Sequence, residues 1–303
     1  MRRDRMRHGC GDVKARPILR YHGGKWMLAE WIISNFPPHR VYVEPFGGAA
    51  SVLLQKRRTY SEVYNDLGGE LVNLFTVVRD RGLELVKVLE LTPFAREEYA
   101  RSFELSEDPL EQARRTVVRS FMGFGSNALC RSIKSGFRAN SNRSGTTPAH
   151  DWANLPWAYK PIIARLRGVV LENRDALDVI RAHDGADTLI YADPPYVHAS
   201  RSTKVHGHHG YDFEMDDAAH ATLAEVLGAV KGMVVLSGYP CKLYEDLYAG
   251  WSFVDCKAHA DGALDRIERL WFNANAVKRG RNQGVFNFDD EGSSETLPGE
   301  AVG

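Results

Sequence analysis

Cysteine is scarce in this chain and the few copies are scattered. The 303 residues hold four, Cys10, Cys130, Cys241 and Cys256, and no two form a CxxC pair. That spacing excludes a disulfide framework and a zinc knuckle, and it fits a reducing cytoplasm. Long apolar runs are missing too. No stretch of 18 apolar residues exists, and the basic opening, Met1 to Arg7, lacks the apolar centre of a secretory signal, so the expectation is a soluble, intracellular protein. Net charge is absent, with 39 Lys and Arg against 39 Asp and Glu. There is no internal repeat and no GxGxxG of the dinucleotide-binding kind.

The zero net charge conceals an uneven distribution. Between Gln112 and Arg174 stand eleven basic side chains and only two acidic ones, Asp151 and Glu172. A basic block in an otherwise neutral chain is the electrostatic footprint expected for a polyanion.

Short β-like apolar runs alternate with amphipathic segments. Strands are expected at Val41–Glu44, Ser61–Asn65, Val169–Leu171, Thr188–Ala192, Met233–Ser237, Ser252–Cys256 and Ile267–Phe272. Helical spacing fits Trp26–Ile33, Ala49–Lys56, Glu70–Val78, Asp216–Val230 and Lys242–Tyr248. Such alternation implies an α/β fold with a mostly parallel sheet covered on both faces, and the last two runs look like an antiparallel hairpin at one edge. Residues 82–166 break the rhythm and read as an inserted module with a helical base and long polar loops. Residues 17–81 and 167–278 then form one domain, 1–16 a flexible leader, and 279–303 a polar tail too poor in apolar surface to order itself.

The sharpest local signal is Asp193-Pro194-Pro195-Tyr196, directly after the run ending at Ala192. Two prolines end the strand and fix the backbone that follows. The Asp193 carboxylate and the Pro194 carbonyl then offer paired acceptors to one pocket, with Tyr196 as a ring wall. An exocyclic aromatic amine, with two N–H donors and a π-face, matches that set. Its lone pair is delocalised into the ring, and acceptors that draw the hydrogens out of plane favour the transition state rather than binding alone.

Three weaker signals lie upstream. Val43-Glu44-Pro45-Phe46-Gly47-Gly48-Ala49 is a strand entering a glycine turn before a helix, where small residues allow close approach and a helix N-terminus favours a carboxylate. Asp66 ends the next strand, the position from which nucleoside-binding sheets hold a ribose diol. Tyr21-His22-Gly23-Gly24-Lys25 precedes the first helix, with Lys25 aimed at a carboxylate.

In order and spacing the four pieces together resemble the Dam-like DNA adenine methyltransferase family, particularly its phage-type members, over about Ile18 to Ala276. The resemblance implies a seven-stranded methyltransferase fold and S-adenosylmethionine as methyl donor. It implies methylation of the 6-amino group of an adenine swung out of double-stranded DNA, by direct in-line displacement; the sequence itself offers no metal site of established spacing and no evident obligatory protein partner. Tyr21 and Lys25 match the N-terminal cofactor element and Phe46, Gly47 and Gly48 the cofactor loop, with Glu44 counted beside them. Asp66 matches the ribose position, Asp175 the cofactor adenine, and Asp193 to Tyr196 the catalytic box, Asp193 also touching the cofactor. Ser237-Gly238-Tyr239 and Arg269-Leu270-Trp271 look like this family as well. One departure is visible: the last glycine of the loop is replaced by Ala49 or Ala50, which implies a weaker or shifted cofactor contact.

The inserted module implies target recognition, with Arg131, Lys134, Arg138 and Arg143 as the residues expected on DNA. His198, His206, His208, His209 and Asp212 match no established ligand spacing and read as a loop that orders over bound DNA. Cys241 reads as a partly buried core residue rather than a nucleophile. The alternatives are methylation of the cytosine 4-amino group or of a protein amide, which the same box chemistry serves, and a silent DNA-binding relative.

Overall fold

The computed structural model describes residues 16–21, 23–125, 135–139, 145–197, 213–259, 265–282 and 284. Seven strands make one sheet in the order β3-β2-β1-β4-β5-β7-β6. Strands β1 (Val41–Glu44), β2 (Ser61–Asn65), β3 (Val169–Glu172), β4 (Thr188–Ala192) and β5 (Met233–Gly238) are mutually parallel. Strand β7 (Asp265–Phe272) runs antiparallel between β5 and β6 (Ser252–His259), so the expected hairpin is present with its second arm inserted next to β5.

Strands β4 and β5 at the centre are near-continuous apolar runs, buried along their length because both faces are covered there. Side chains alternate with period two. Tyr42, Tyr64, Leu189, Tyr191, Val235 and Phe272 enter one core, and Val43, Val63, Ile190, Val234, Leu236 and Trp271 the other. The first core is roofed by α1 (Ala29–Ser34), α2 (Ser51–Gln55), α3 (Gly69–Glu90), α5 (Pro109–Met122) and α6 (Pro148–Leu166), with Tyr99 of α4 (Arg96–Arg101) and Ala276 of α10 (Ala274–Arg281) at its margins. The second core lies under α7 (Ala176–His183), α8 (Asp217–Ala229) and α9 (Lys242–Leu247).

Helix α3 runs twelve residues past the expected stop at Val78. Gly82 imitates a helix end in the sequence, and the backbone kinks beside it at Arg81 (φ −128°, ψ 26°) without ending the helix. Gly82 serves packing instead: a Cβ there would lie 2.5 Å from Cγ1 of Ile163, so glycine lets α6 approach α3. Helices α3, α5 and α6 share one hydrophobic cluster with the strands, so the 82–166 segment is fastened to the sheet through its helical base. Helix α10 continues to Arg281, past the point where the composition turns polar, and Arg279 pairs with Asp187.

The N-terminal end of the sheet is closed by buried charge. Glu62 on β2 accepts from Lys56 Nζ at 2.7 Å and from both terminal nitrogens of Arg165 at 2.6 and 2.9 Å. Burial pushes the Glu62 carboxyl up, but the hydrogen bonds from Arg165 and Lys56 outweigh it and hold the group below its ordinary range. This cluster ties the ends of α2 and α6 to β2. Among the described residues no helix is long and apolar enough to cross a membrane.

Candidate active site

Strand order reverses between β1 and β4, and the crevice at such a point opens over the carboxyl ends of the strands. A cavity of about 740 Å3 lies there. Its wall takes residues from the ends of β1, β2, β3 and β4, from the Tyr21–Lys25 element and from the start of α8. Of the cofactor residues expected from sequence, Tyr21, Lys25, Glu44, Phe46, Gly47, Gly48, Asp66, Asp175 and Asp193 all line it. Pro195 does as well, while Pro194 and Tyr196 are buried and are not part of that wall.

The loop after β1 is drawn shut by β2. Gly47 N donates to Asn65 O at 2.7 Å, Asn65 Nδ2 to Pro45 O at 2.8 Å, and the Tyr64 hydroxyl to Gly48 O at 2.8 Å. A Cβ at Gly47 would fall 2.1 Å from the Tyr64 ring, so only glycine admits this packing. Asp66 bridges two main-chain amides, Gly48 N at 2.8 Å and Gly68 N at 2.7 Å. Asp175 caps α7 through Leu177 N at 2.8 Å while it faces the cavity.

The departure from the glycine loop is located by the backbone. Ala50 is fully buried at φ 52° and ψ 34°, the left-handed region, and stands at the N-cap of α2. Ala49 shows no such conformation, so Ala50 is the alanine standing where a glycine fits best.

Glu44 is 3 % exposed and accepts from the Tyr42 hydroxyl at 3.0 Å and Leu53 N at 3.2 Å. Burial pushes its carboxyl up to about 8.

The catalytic box holds a second buried charge cluster. Lys25 Nζ lies 2.9 Å from Asp193 Oδ1 and 4.5 Å from the centroid of the Tyr196 ring. The sequence aims Lys25 at a cofactor carboxylate; the structure pairs it with the box. Lys25 Nζ is also 3.8 Å from Glu268 Oε1 on β7. The same Glu268 oxygen accepts from the Tyr196 hydroxyl and the Ser237 hydroxyl, each at 2.6 Å. Tyr239 stands edge-on to Tyr196, with centroids 4.4 Å apart. Burial pushes the Asp193 carboxyl up to about 6, with the Lys25 charge opposing and the Glu268 charge reinforcing the rise.

Sequence reasoning missed Glu268, although a signal existed. On β7 it shares a face with Leu270 and Phe272, both of the first core, so period-two alternation places a carboxylate on the buried side. It also missed Thr116 and Arg119 of α5, which line the cavity, with Arg119 paired to Glu70.

The basic block is weaker than its count. Arg114 pairs with Glu98 and Glu111, Arg115 with Glu111, Arg119 with Glu70 and Arg165 with Glu62. All these acids precede Gln112, so a window drawn along the chain left out the partners that folding supplies. Arg138 lies 3.8 Å from Asp151, and its main-chain N donates to Met122 O at 2.7 Å. Arg131, Lys134 and Arg143 lie outside the described residues, as do His198, His206, His208, His209 and Asp212.

A sheet of this order, with its seventh strand reversed, is the architecture of S-adenosylmethionine-dependent methyltransferases, as the resemblance implied. The chain belongs to the D12 class N6 adenine-specific DNA methyltransferases, whose family model matches residues 21–260. The DNA adenine methylase of Haemophilus influenzae (strain Rd) is 28% identical over 257 residues, covering 80% of this chain and 85% of its own. That of Escherichia coli (strain K12) is 28% identical over 247 residues, with 78% and 84% covered. That of Vibrio cholerae serotype O1 is 28% identical over 248 residues, with 78% and 86% covered. The enzyme is an adenine-specific DNA methyltransferase, which sets aside the cytosine, protein-amide and silent readings.

Proposed function

We propose that the enzyme takes its methyl group from S-adenosylmethionine and delivers it to N6 of an adenine swung out of double-stranded DNA, with Asp193 as the acceptor for the amine. The observation that carries this reading is the convergence of Asp193, Asp66 and the 45–48 loop on a single cavity. Its volume of about 740 Å3 falls in the ~300–1,000 Å3 range of small-molecule sites. The lining fits the cofactor: Asp66 sets a carboxylate on the wall for a ribose diol, and Glu44 is a buried carboxyl suited to an ammonium, whose arrival would favour its charged form.

S-adenosylmethionine supplies an electrophilic methyl on a sulfonium. The chain's own residues prepare the amine. Lys25 holds Oδ1 of Asp193, and a carboxylate with about four acceptor sites can take an N6 hydrogen as a further donor. Accepting that hydrogen would draw it out of the base plane and free the nitrogen lone pair for the methyl that S-adenosylmethionine would supply, the electrons of the carbon–sulfur bond being left on sulfur. The N6 proton lost after transfer passes to the Asp193 carboxylate, whose raised pKa suits a brief acceptor. A base inside the duplex cannot reach this carboxylate, so extrusion at a few kcal/mol precedes chemistry. The 82–166 segment is our candidate for target recognition, with Arg131, Lys134, Arg138 and Arg143 against the phosphates and bases.

The test is methyl transfer from labelled S-adenosylmethionine to duplex DNA, with digestion to nucleosides. N6-methyladenine is expected as the product. Asp193→Ala should lower kcat by at least about 10^3-fold and leave DNA affinity within a few-fold. Retained turnover in that variant removes Asp193 from this role.

A further inference from the structure

We propose that Glu268 is a positioning residue of the methyl-transfer pocket, a second buried carboxylate that shares the Lys25 ammonium with Asp193 and anchors the Tyr196 hydroxyl. The inference rests on the role proposed for Asp193, and it assigns work to a residue outside the Asp-Pro-Pro-Tyr box.

Glu268 is 2 % exposed on a strand whose neighbouring residues include Arg269, paired with Asp255 on the far side of the hairpin. A buried carboxylate is expensive unless hydrogen bonds and charge compensate, and an apolar residue would serve the core better. The compensation comes from active-site elements. Lys25 approaches from the N-terminal element, the Tyr196 hydroxyl from the box and the Ser237 hydroxyl from the end of β5. Three separate segments thus meet at one oxygen of β7.

Two consequences follow for the chemistry. First, Tyr196 is pinned at its hydroxyl end, which fixes its ring, and the backbone of the box with it, against the sheet. Second, one ammonium serves two carboxylates. Whatever share of Lys25 is drawn towards Glu268 is withheld from Asp193, so Glu268 tunes how strongly Asp193 accepts from the amine. The titratable groups around Glu268 are Lys25, Asp193, Tyr191, Tyr196 and, on β6, Cys256.

The experiment compares Glu268→Gln, Glu268→Asp and Ser237→Ala by pH–rate profiles of methyl transfer to duplex DNA, with KM for both substrates. Glu268→Gln removes the competing charge and releases Lys25 to Asp193. Its kcat should fall about 10–100-fold with KM values within threefold, and the acid limb of kcat should move to lower pH. Ser237→Ala strips a donor from the Glu268 oxygen and strengthens its hold on Lys25, so its acid limb should move to higher pH. Glu268→Asp keeps the charge and should retain more of kcat than Glu268→Gln. If Glu268→Gln does not fold, the Ser237→Ala displacement decides. An acid limb unmoved in every folded variant overturns the proposal and leaves Glu268 a core bridge. A wild-type enzyme that makes no N6-methyladenine would instead sink the role of Asp193 itself.

Discussion

The two ends of the sheet each bury a lysine with carboxylate partners, and they balance the charge in opposite ways. At the N-terminal end one carboxylate, Glu62, is gripped by two cations, Lys56 and Arg165. At the C-terminal end one cation, Lys25, stands between two carboxylates, Asp193 and Glu268. The first arrangement holds its carboxyl below the ordinary range, and the second lets burial push Asp193 up to about 6. A cluster with surplus counter-charge is a fastening. A cluster with one ammonium for two carboxylates is the arrangement in which we propose that Asp193 accepts from an amine.

The largest test of this contrast removes the fastening. Glu62→Ala strands the buried Lys56 and the partly buried Arg165, and equilibrium unfolding in urea should show a loss of about 3–5 kcal/mol. The kcat of the molecules that remain folded should stay within twofold, because Glu62 lies at the far end of the strands from Asp193. A stability change under 1 kcal/mol would erase the distinction between the two ends.

A second test sets the two carboxylates against each other by pH. Folding favours neutral Asp193, since its carboxyl rises from 3.8 to about 6. Its stabilising contribution is therefore present below pH 3.8 and lost as pH rises through about 6, and the ionised group strains the fold above that. Glu62 is displaced downwards, so its contribution is present above its unfolded value and lost as pH falls through the folded one. Accordingly Asp193→Asn should raise stability at pH 8 by roughly 1–3 kcal/mol while activity disappears, and Glu62→Gln should lower it. In the wild type kcat should climb about tenfold per pH unit below about 6 and level off above. Equal signs for the two amide variants would refute the contrast.

The smallest effect sits beside the cofactor loop. Ala50→Gly relieves a left-handed alanine and should stabilise the protein by about 0.5–1 kcal/mol, read from the thermal midpoint. A lowered midpoint would show that packing of the Ala50 methyl outweighs its backbone conformation.

The fold was legible wherever one local rule acted alone. Strands β1, β2 and β4 match their expected bounds, and each is followed by a residue that interrupts a strand, Pro45, Asp66 and Asp193. Helix α3 was misjudged because Gly82 looks the same in a sequence whether it stops a helix or admits a neighbour, and only Ile163 of α6 decides. The wall of the cavity was readable from motifs at strand ends. Its charges were not, since Lys25 changes meaning with Glu268, which lies 243 residues further on. The charge excess of the basic window was overcounted for the same cause, as Arg119 and Arg165 found acids that no local count includes.

The first described residues are stitched to the helices above the sheet. Arg20 N donates to the Ser120 hydroxyl oxygen at 2.8 Å, that hydroxyl returns a bond to Arg20 O at 3.1 Å, and the Tyr159 hydroxyl reaches Ile18 O at 2.8 Å. The lysine that reaches Asp193 therefore hangs from α5 and α6 by main-chain seams. Anyone transplanting the stretch between α3 and β3 from a relative must carry the matching thread, Ile18 to Lys25, along with it. The two pieces are one tailored part, cut from opposite ends of the cloth.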